Sequence, residues 1–141
     1  MSSSLIVVVA VLIVALGVAY VIGRLLTLRA GLMRATSEDA AEVDTSDLGL
    51  SATGPTVVHF SAVWCGPCAG VRRVVDKVCA DLPEVAHVEI DMDANPGAAR
   101  RLSVLSLPTT FIFDADGKQR YRAAGVPTAA DLRTALEPLL A

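Results

Sequence analysis

No second Cys-x-x-Cys and no His-x-x-x-His pair accompanies the one cysteine pair of this 141-residue chain. Its three cysteines and two histidines, Cys65, Cys68, Cys79, His59 and His87, are not spaced to complete a four-ligand zinc or iron-sulfur site, so no metal is expected. Basic excess is lacking too. The net charge is -3, and from residue 54 onward nine bases face ten acids, which leaves no nucleic-acid footprint. No internal repeat is visible. The leader "MSSS" has no Lys or Arg, and the apolar run after it is long and ends without a small-residue cleavage site, which argues against a secretory signal peptide. No cysteine lies nearby to carry a lipid.

What the sequence does have in excess is apolar character, 53% of residues, and it is unevenly spread. Leu5 to Gly23, "LIVVVAVLIVALGVAYVIG", holds neither a charge nor a proline. As a helix it would span roughly 28 Å, close to the hydrocarbon thickness of a bilayer. A buried core helix would be apolar along one stripe, whereas this segment is apolar all round. Residues 1–34 are therefore read as an uncleaved, single-pass membrane anchor with a basic flank, its lipid partner the bilayer. Arg24, Arg29 and Arg34 follow the helix and only the terminal amine precedes it, so the positive-inside rule puts the rest of the chain in the cytoplasm. If those arginines merely touch headgroups, an extracytoplasmic placement stays open.

Residues 35–53 carry five acids, no base and few large apolar side chains, and read as a solvated linker. Asp47 to Leu50 is the one place in it where a short edge strand could form. Residues 54–141 have the periodicities of a compact α/β domain. "TVVHFSA" (56–62) is a nearly continuous β-branched run suited to a central strand. A helix follows, with Cys68, Val71, Val75, Val78, Cys79 and Leu82 on one stripe and Arg72, Arg73, Asp76 and Lys77 on the other side. "VAHVEID" (85–91) is the next strand, and Asn95-Pro96 opens a short helix to about Leu102. "TTFIFD" (109–114) and "KQRYRAAG" (118–125) form a hairpin, and Thr128 caps a last helix that turns Leu132, Leu136 and Leu139 inward. The order β-α-β-α-β-β-α implies a parallel pair, an antiparallel hairpin and helices on both faces of a mixed four-stranded sheet.

The cysteine pair sits where the first strand gives way to a helix. A disulfide across three residues closes almost no loop, so a purely structural staple is disfavoured. Redox exchange fits better. Cys65 precedes the helix, where unpaired backbone N–H groups and the positive end of the dipole favour its thiolate. Cys68, one turn on, is placed to attack the mixed disulfide that Cys65 makes with a substrate. Gly66 allows a partner backbone to approach and Pro67 pre-sets the first helical turn.

"WCGPC" after an apolar strand, followed by "NPGAARRLSVLSLPTTFIF" with Pro-Thr leading into the next strand, resembles the thioredoxin family over about residues 54–141. The resemblance implies a thiol-disulfide oxidoreductase with no cofactor beyond a redox-active Cys65–Cys68 disulfide, and with Trp64, Gly66 and Pro67 as active-site support. It also implies a cis Pro108 beside the disulfide and a substrate-binding rim made by the flanking Leu107 and Thr109 together with Gly125, which leaves room for a substrate chain. By local rules alone, Pro108 is a trans proline at the start of a strand and Gly125 a turn glycine.

The chain departs from the family's pattern in several places. His59 stands where a buried aspartate is usual, and Glu89 where its lysine partner is usual, so the pair reads as charge-reversed and compensated. His59 is read either as a base toward Cys68, favouring the thiolate if protonated, or as a packed histidine with no proton role. Ser61 replaces a second tryptophan, Arg73 replaces a helix-kinking proline, and the family's first strand and helix are missing or reduced to the linker. Cys79 lies too far along the helix to pair with Cys68 and is read as a core residue, with a regulatory thiol as the lesser alternative.

Two functions of different class follow. One is a membrane-anchored reductase exchanging disulfides with protein thiols and disulfides at the membrane surface, or facing outward for cytochrome c maturation. The other is a non-catalytic adaptor of a membrane complex that uses the fold and not the cysteines; an intact Cys-Gly-Pro-Cys argues against it.

Overall fold

The structure is a computed structural model that describes residues 2–37 and 42–141, and it divides into two units, Met1–Ala30 and Gly31–Ala141. The first unit is helix α1, Ser2–Arg29. With 28 residues it would run about 42 Å. It is long and apolar enough to cross a membrane, and its apolar side chains are exposed on every side, so no stripe is set aside for packing.

The second unit is a mixed sheet between helices. Its elements are β1 (Arg34–Ala35), β2 (Thr56–Ser61), α2 (Cys68–Asp81), β3 (Ala86–Asp91), α3 (Pro96–Arg101), β4 (Thr109–Phe113), β5 (Gln119–Ala124) and α4 (Ala129–Leu136), closed by a 3-10 turn at Glu137–Leu139. The strand order is β1-β5-β4-β2-β3; β2 and β3 run parallel and every other neighbouring pair is antiparallel. The five β-branched and aromatic-rich positions from Thr56 to Phe60 are completely buried, as a central strand covered on both faces requires.

Alternation along β2 separates two cores. Val58 and Phe60 face α3 and pack with Phe111, Phe113, Ala99 and Leu102. Val57 faces the other way, where Ile112 meets Val71, Val75 and Val78 of α2 and Leu132 and Leu136 of α4. His59 and Ser61 share the Val57 side by the two-residue period. Thr128 caps α4 by accepting a hydrogen bond from the Asp131 backbone N–H at 3.1 Å. In the β4–β5 turn, Asp114 accepts from the backbone N–H groups of Asp116 and Lys118, and Gly117 takes the positive φ of 80° that closes it.

The stretch expected to be a detached linker is partly built into this unit. Glu38 and Asp39 lie outside the described residues. Arg34–Ala35 forms the outer strand by pairing with Tyr121 and Arg122, making the sheet five-stranded rather than four-stranded. Near Asp47 to Leu50, where a short edge strand could have formed, the chain makes a turn. From it Leu48 inserts into the α3-side core, and Asp47 pairs with Arg101 of α3. Leu50 of the same stretch packs, partly buried, against that core as well, and the two cover apolar surface of the sheet face beside α3.

Candidate active site

Cys65 and Cys68 are joined as a disulfide, with Cα atoms 5.5 Å apart. The loop before α2 positions them unequally. Cys68 is the first residue of α2 and is buried, whereas Cys65 stays partly open. Cys68 Sγ lies 3.9 Å from the carbonyl oxygen of Phe60 in β2. A partner disulfide can therefore reach Cys65 and not Cys68. Gly66 and Pro67 are exposed at the tip, and Val63 and Trp64 beside them present apolar surface to solvent, Val63 being 95% exposed. The Trp64 indole N–H donates to Asp93 Oδ2 at 2.9 Å, which ties the motif loop to the loop after β3.

The Leu107–Pro108 peptide bond is cis, where local rules alone gave trans. The Pro108 carbonyl accepts from the Gly125 N–H at 2.9 Å, and Gly125 has a φ of 87°, a conformation that only glycine adopts without strain. A Cβ placed on Gly70, in the first turns of α2, would lie 3.6 Å from Val126. The proline loop, Gly125 and the start of the cysteine helix thus share one rim. Leu107 is half-buried there. Thr109 was expected to face a substrate, but its side chain is buried and its hydroxyl donates to the Ser106 carbonyl at 2.6 Å, so it shapes the loop from beneath.

A row of polar groups runs from this rim along the seam between α2 and β3. Cys68, Arg72 and Asp76 recur every fourth residue on α2, while His87, Glu89 and Asp91 alternate on β3; His59 is the Cα partner of Glu89 and Ser61 that of Asp91. Arg72 grips Glu89 in a bidentate pair, with Nε to Oε2 at 2.8 Å. That contact holds the Glu89 carboxyl down at about 2, well below its ordinary range. His59 has no exposed surface and is pushed down to about 4, chiefly because burial disfavours its charged form; Glu89 opposes this and loses.

This geometry corrects the charge-reversed reading of His59 and Glu89. The two do approach, with His59 Nε2 at 3.6 Å from Glu89 Oε1, but Arg72 supplies the cation and His59 stays neutral near pH 7. A protonated His59 that favours the thiolate is accordingly disfavoured. The other ring nitrogen, Nδ1, lies 2.9 Å from His87 Nε2, and His87 Nδ1 lies 3.2 Å from Asp76 Oδ1.

Arg72, Asp76, His87 and Asp93 were not singled out from the sequence as members of the site. The four-residue spacing from Cys68 is a signal for the first two, but the apolar stripe of α2 assigned them to the solvent face. Among the described residues, no three His, Cys, Asp or Glu side chains come together as a metal site. Cys79 is half-buried and burial pushes its thiol up, which suits a packed residue.

An open groove lined by Ser61, Ala62, Val63, Arg72, Glu89 and Asp91 adjoins the motif. A reachable sulfur, a buried second sulfur bonded to it and an apolar collar are sufficient for thiol-disulfide exchange with another chain.

The thioredoxin family model matches residues 42–138. The chain is 37% identical to a thioredoxin of Mycolicibacterium smegmatis over 112 residues, covering 74% of this chain and 99% of that protein. It is 33% identical to a thioredoxin of Mycobacterium tuberculosis, covering 68% of this chain and 87% of the relative. A thioredoxin crystal structure from Trypanosoma brucei brucei superimposes with a TM-score of 0.56 at 33% identity, covering 64% of this chain and 79% of that one.

Proposed function

The chain belongs to the thioredoxin family and is a thiol-disulfide oxidoreductase, and from that premise we propose that it works as a membrane-anchored reductase of protein disulfides at the membrane surface. The observation that carries the chemistry is the unequal burial of the bonded pair, Cys65 partly open and Cys68 at 2% exposure. In the reduced protein Cys65 attacks the client's disulfide and forms a mixed disulfide. Cys68 then displaces the client's sulfur and regenerates the Cys65–Cys68 bond. Leu107, the Pro108 loop and Gly125 supply the rim on which an extended client segment lies, and Val63 and Trp64 add apolar contact.

Helix α1 supports the anchor, because its apolar surface faces outward all round and gains nothing in water. The arginines that follow it favour the cytoplasmic side. Anchoring restricts clients to those within reach of the bilayer and keeps their effective concentration high.

The test uses the full chain in cell membranes. Cys68→Ser should trap mixed disulfides with membrane-proximal proteins, Cys65→Ser should trap none, and both should abolish turnover while leaving Trp64 fluorescence folded. The proposal fails if both variants retain wild-type reductase activity. Extraction by carbonate in place of detergent would overturn the anchor. Labelling of Cys65 in intact cells by a membrane-impermeant thiol reagent would reverse the assigned side.

A further inference from the structure

Outside α1, two large apolar side chains among the described residues lie almost wholly in water: Val63, 95% exposed, and Leu105, 91% exposed. Sheet topology gathers them at one end. β2 ends at Ser61 and β4 starts at Thr109, with Phe60 the Cα partner of Thr109, so the loop bearing Val63 and the loop bearing Leu105 leave the sheet together. Ala124, the last residue of β5, is paired with Thr109 too, which puts Gly125 and Val126 at that end.

The chain enters the second unit from the same end. Arg34 and Ala35 pair antiparallel with Arg122 and Tyr121, and running that register backward brings Gly31 to the close of β5. There the Gly31 N–H donates to the Ala124 carbonyl, and a Cβ on Gly31 would collide with the Val126 carbonyl oxygen. Entry at the other end of β5 would have moved it away from this rim by a six-residue strand, about 20 Å. Chain length then sets a reach. From Gly23, where the uncharged run stops, the helix to Arg29 rises about 9 Å, and two further steps to Gly31 add at most about 7 Å. No more than about 16 Å of chain therefore separates the apolar span from the rim that Gly31 touches, and the headgroup layer takes up about 5–7 Å of it. Residues 35–53, as a free leash ahead of the domain, would have added up to about 65 Å.

We propose that the clients are membrane proteins whose disulfide lies within the first turn or two beyond a membrane span, and that Val63 and Leu105 seat the apolar residues beside it. This rests on the anchored reductase proposed above. A polypeptide suits the two side chains better than the bilayer does. Asp91 at the end of β3 and Asp93 just after it are exposed at the same end of the sheet, where anionic headgroups would repel them. A client span that obeys the positive-inside rule brings Lys and Arg to that place, and the two carboxylates complement them.

The experiment puts the full-length reduced protein in phosphatidylcholine vesicles with a synthetic single-span peptide whose cysteine, disulfide-bonded to a quenched dye thiol, directly follows the apolar span. A second peptide raises the same disulfide on a helical spacer of about 30 residues, roughly 45 Å long. The low probe should be reduced at least about tenfold faster than the raised one. A Gly-Ser insert of about 20 residues between Ala30 and Gly31 should bring the two rates within about twofold, with reduction of a water-soluble peptide disulfide unchanged. Leu105→Ser should cut the preference for a low probe flanked by leucines over one flanked by serines about fivefold. Equal rates on the low and raised probes, or a ratio that the insert leaves unaltered, overturn the height restriction. A loss in Leu105→Ser that is the same for both flanks overturns the apolar seat, since the side chain then meets lipid. Failure of the parent on the soluble peptide would instead overturn the exchange reaction, and release from the vesicles by carbonate the anchor; either takes this proposal with it.

Discussion

Replacing His59 with leucine should flatten the acid limb of the stability curve. Burial lowers His59 from 6.5 to about 4, a difference of about 2.5 units, and each unit corresponds to about 1.36 kcal/mol. Between those two values the unfolded chain binds the proton that the folded chain refuses, so unfolding becomes easier as pH falls. The contribution is fully present above pH 6.5 and is lost progressively toward pH 4, by about 3 kcal/mol in total. Glu89 titrates lower. Its carboxyl, held at about 2 against an ordinary 4.5, contributes stability above pH 4.5 that is lost between 4.5 and 2, so the two windows barely overlap. Trp64 is the only tryptophan and reports on the second unit without interference from α1. Urea midpoints followed by Trp64 fluorescence at half-unit steps from pH 7.5 to 3 give the slope directly. His59→Leu changes the stability at pH 7 as well, through the lost bond to His87, but that offset is constant and the slope is the readout. An equal loss between pH 6.5 and 4 in parent and variant would refute the assignment of His59 as a neutral, desolvated base.

Leu48→Ala tests whether the acidic stretch belongs to the domain. Leu48 is 3% exposed in the α3-side core, so truncation should cost about 2–4 kcal/mol in urea unfolding, whereas a detached linker would give no change. Gly125→Ala should cost about 1–2 kcal/mol, because an alanine at φ 87° is strained; it should also slow client reduction by disturbing the N–H that holds the Pro108 carbonyl, and an unaltered melting temperature would count against this.

Most of the fold was legible because its signals are local. The all-apolar run from Leu5, the buried β-branched strand at 56–61, the stripe of Val71, Val75 and Val78 and the Thr128 cap each arise within a few residues. The two-residue strand at Arg34–Ala35 was not legible, since it owes its existence to the free edge of β5 and not to any propensity of its own. Leu48 escaped for a similar reason: with Leu50 it makes only a two-residue alternation beside acids, too short to set a period, and the uncovered face beside α3 explains its burial.

At the site, the cysteine pair and its place before a helix could be read directly from residues 65–68, because strand, turn and helix N-terminus follow one another in the chain. Those four residues and their place before a helix were enough to carry the expectation of redox exchange, with Cys65 attacking and Cys68 resolving. What surrounds the pair was decided in three dimensions. Arg72 and Asp76 sit on the nominal solvent side of α2, yet the parallel pairing of β2 and β3 brings Glu89 and His87 under them. That register makes Arg72, not His59, the counter-ion of Glu89, and it leaves His59 neutral and linked through His87 to the surface. Local sequence determines which atoms can exchange electrons; which polar groups gather beside them depends on contacts between residues 28 apart in the chain, which only packing can set.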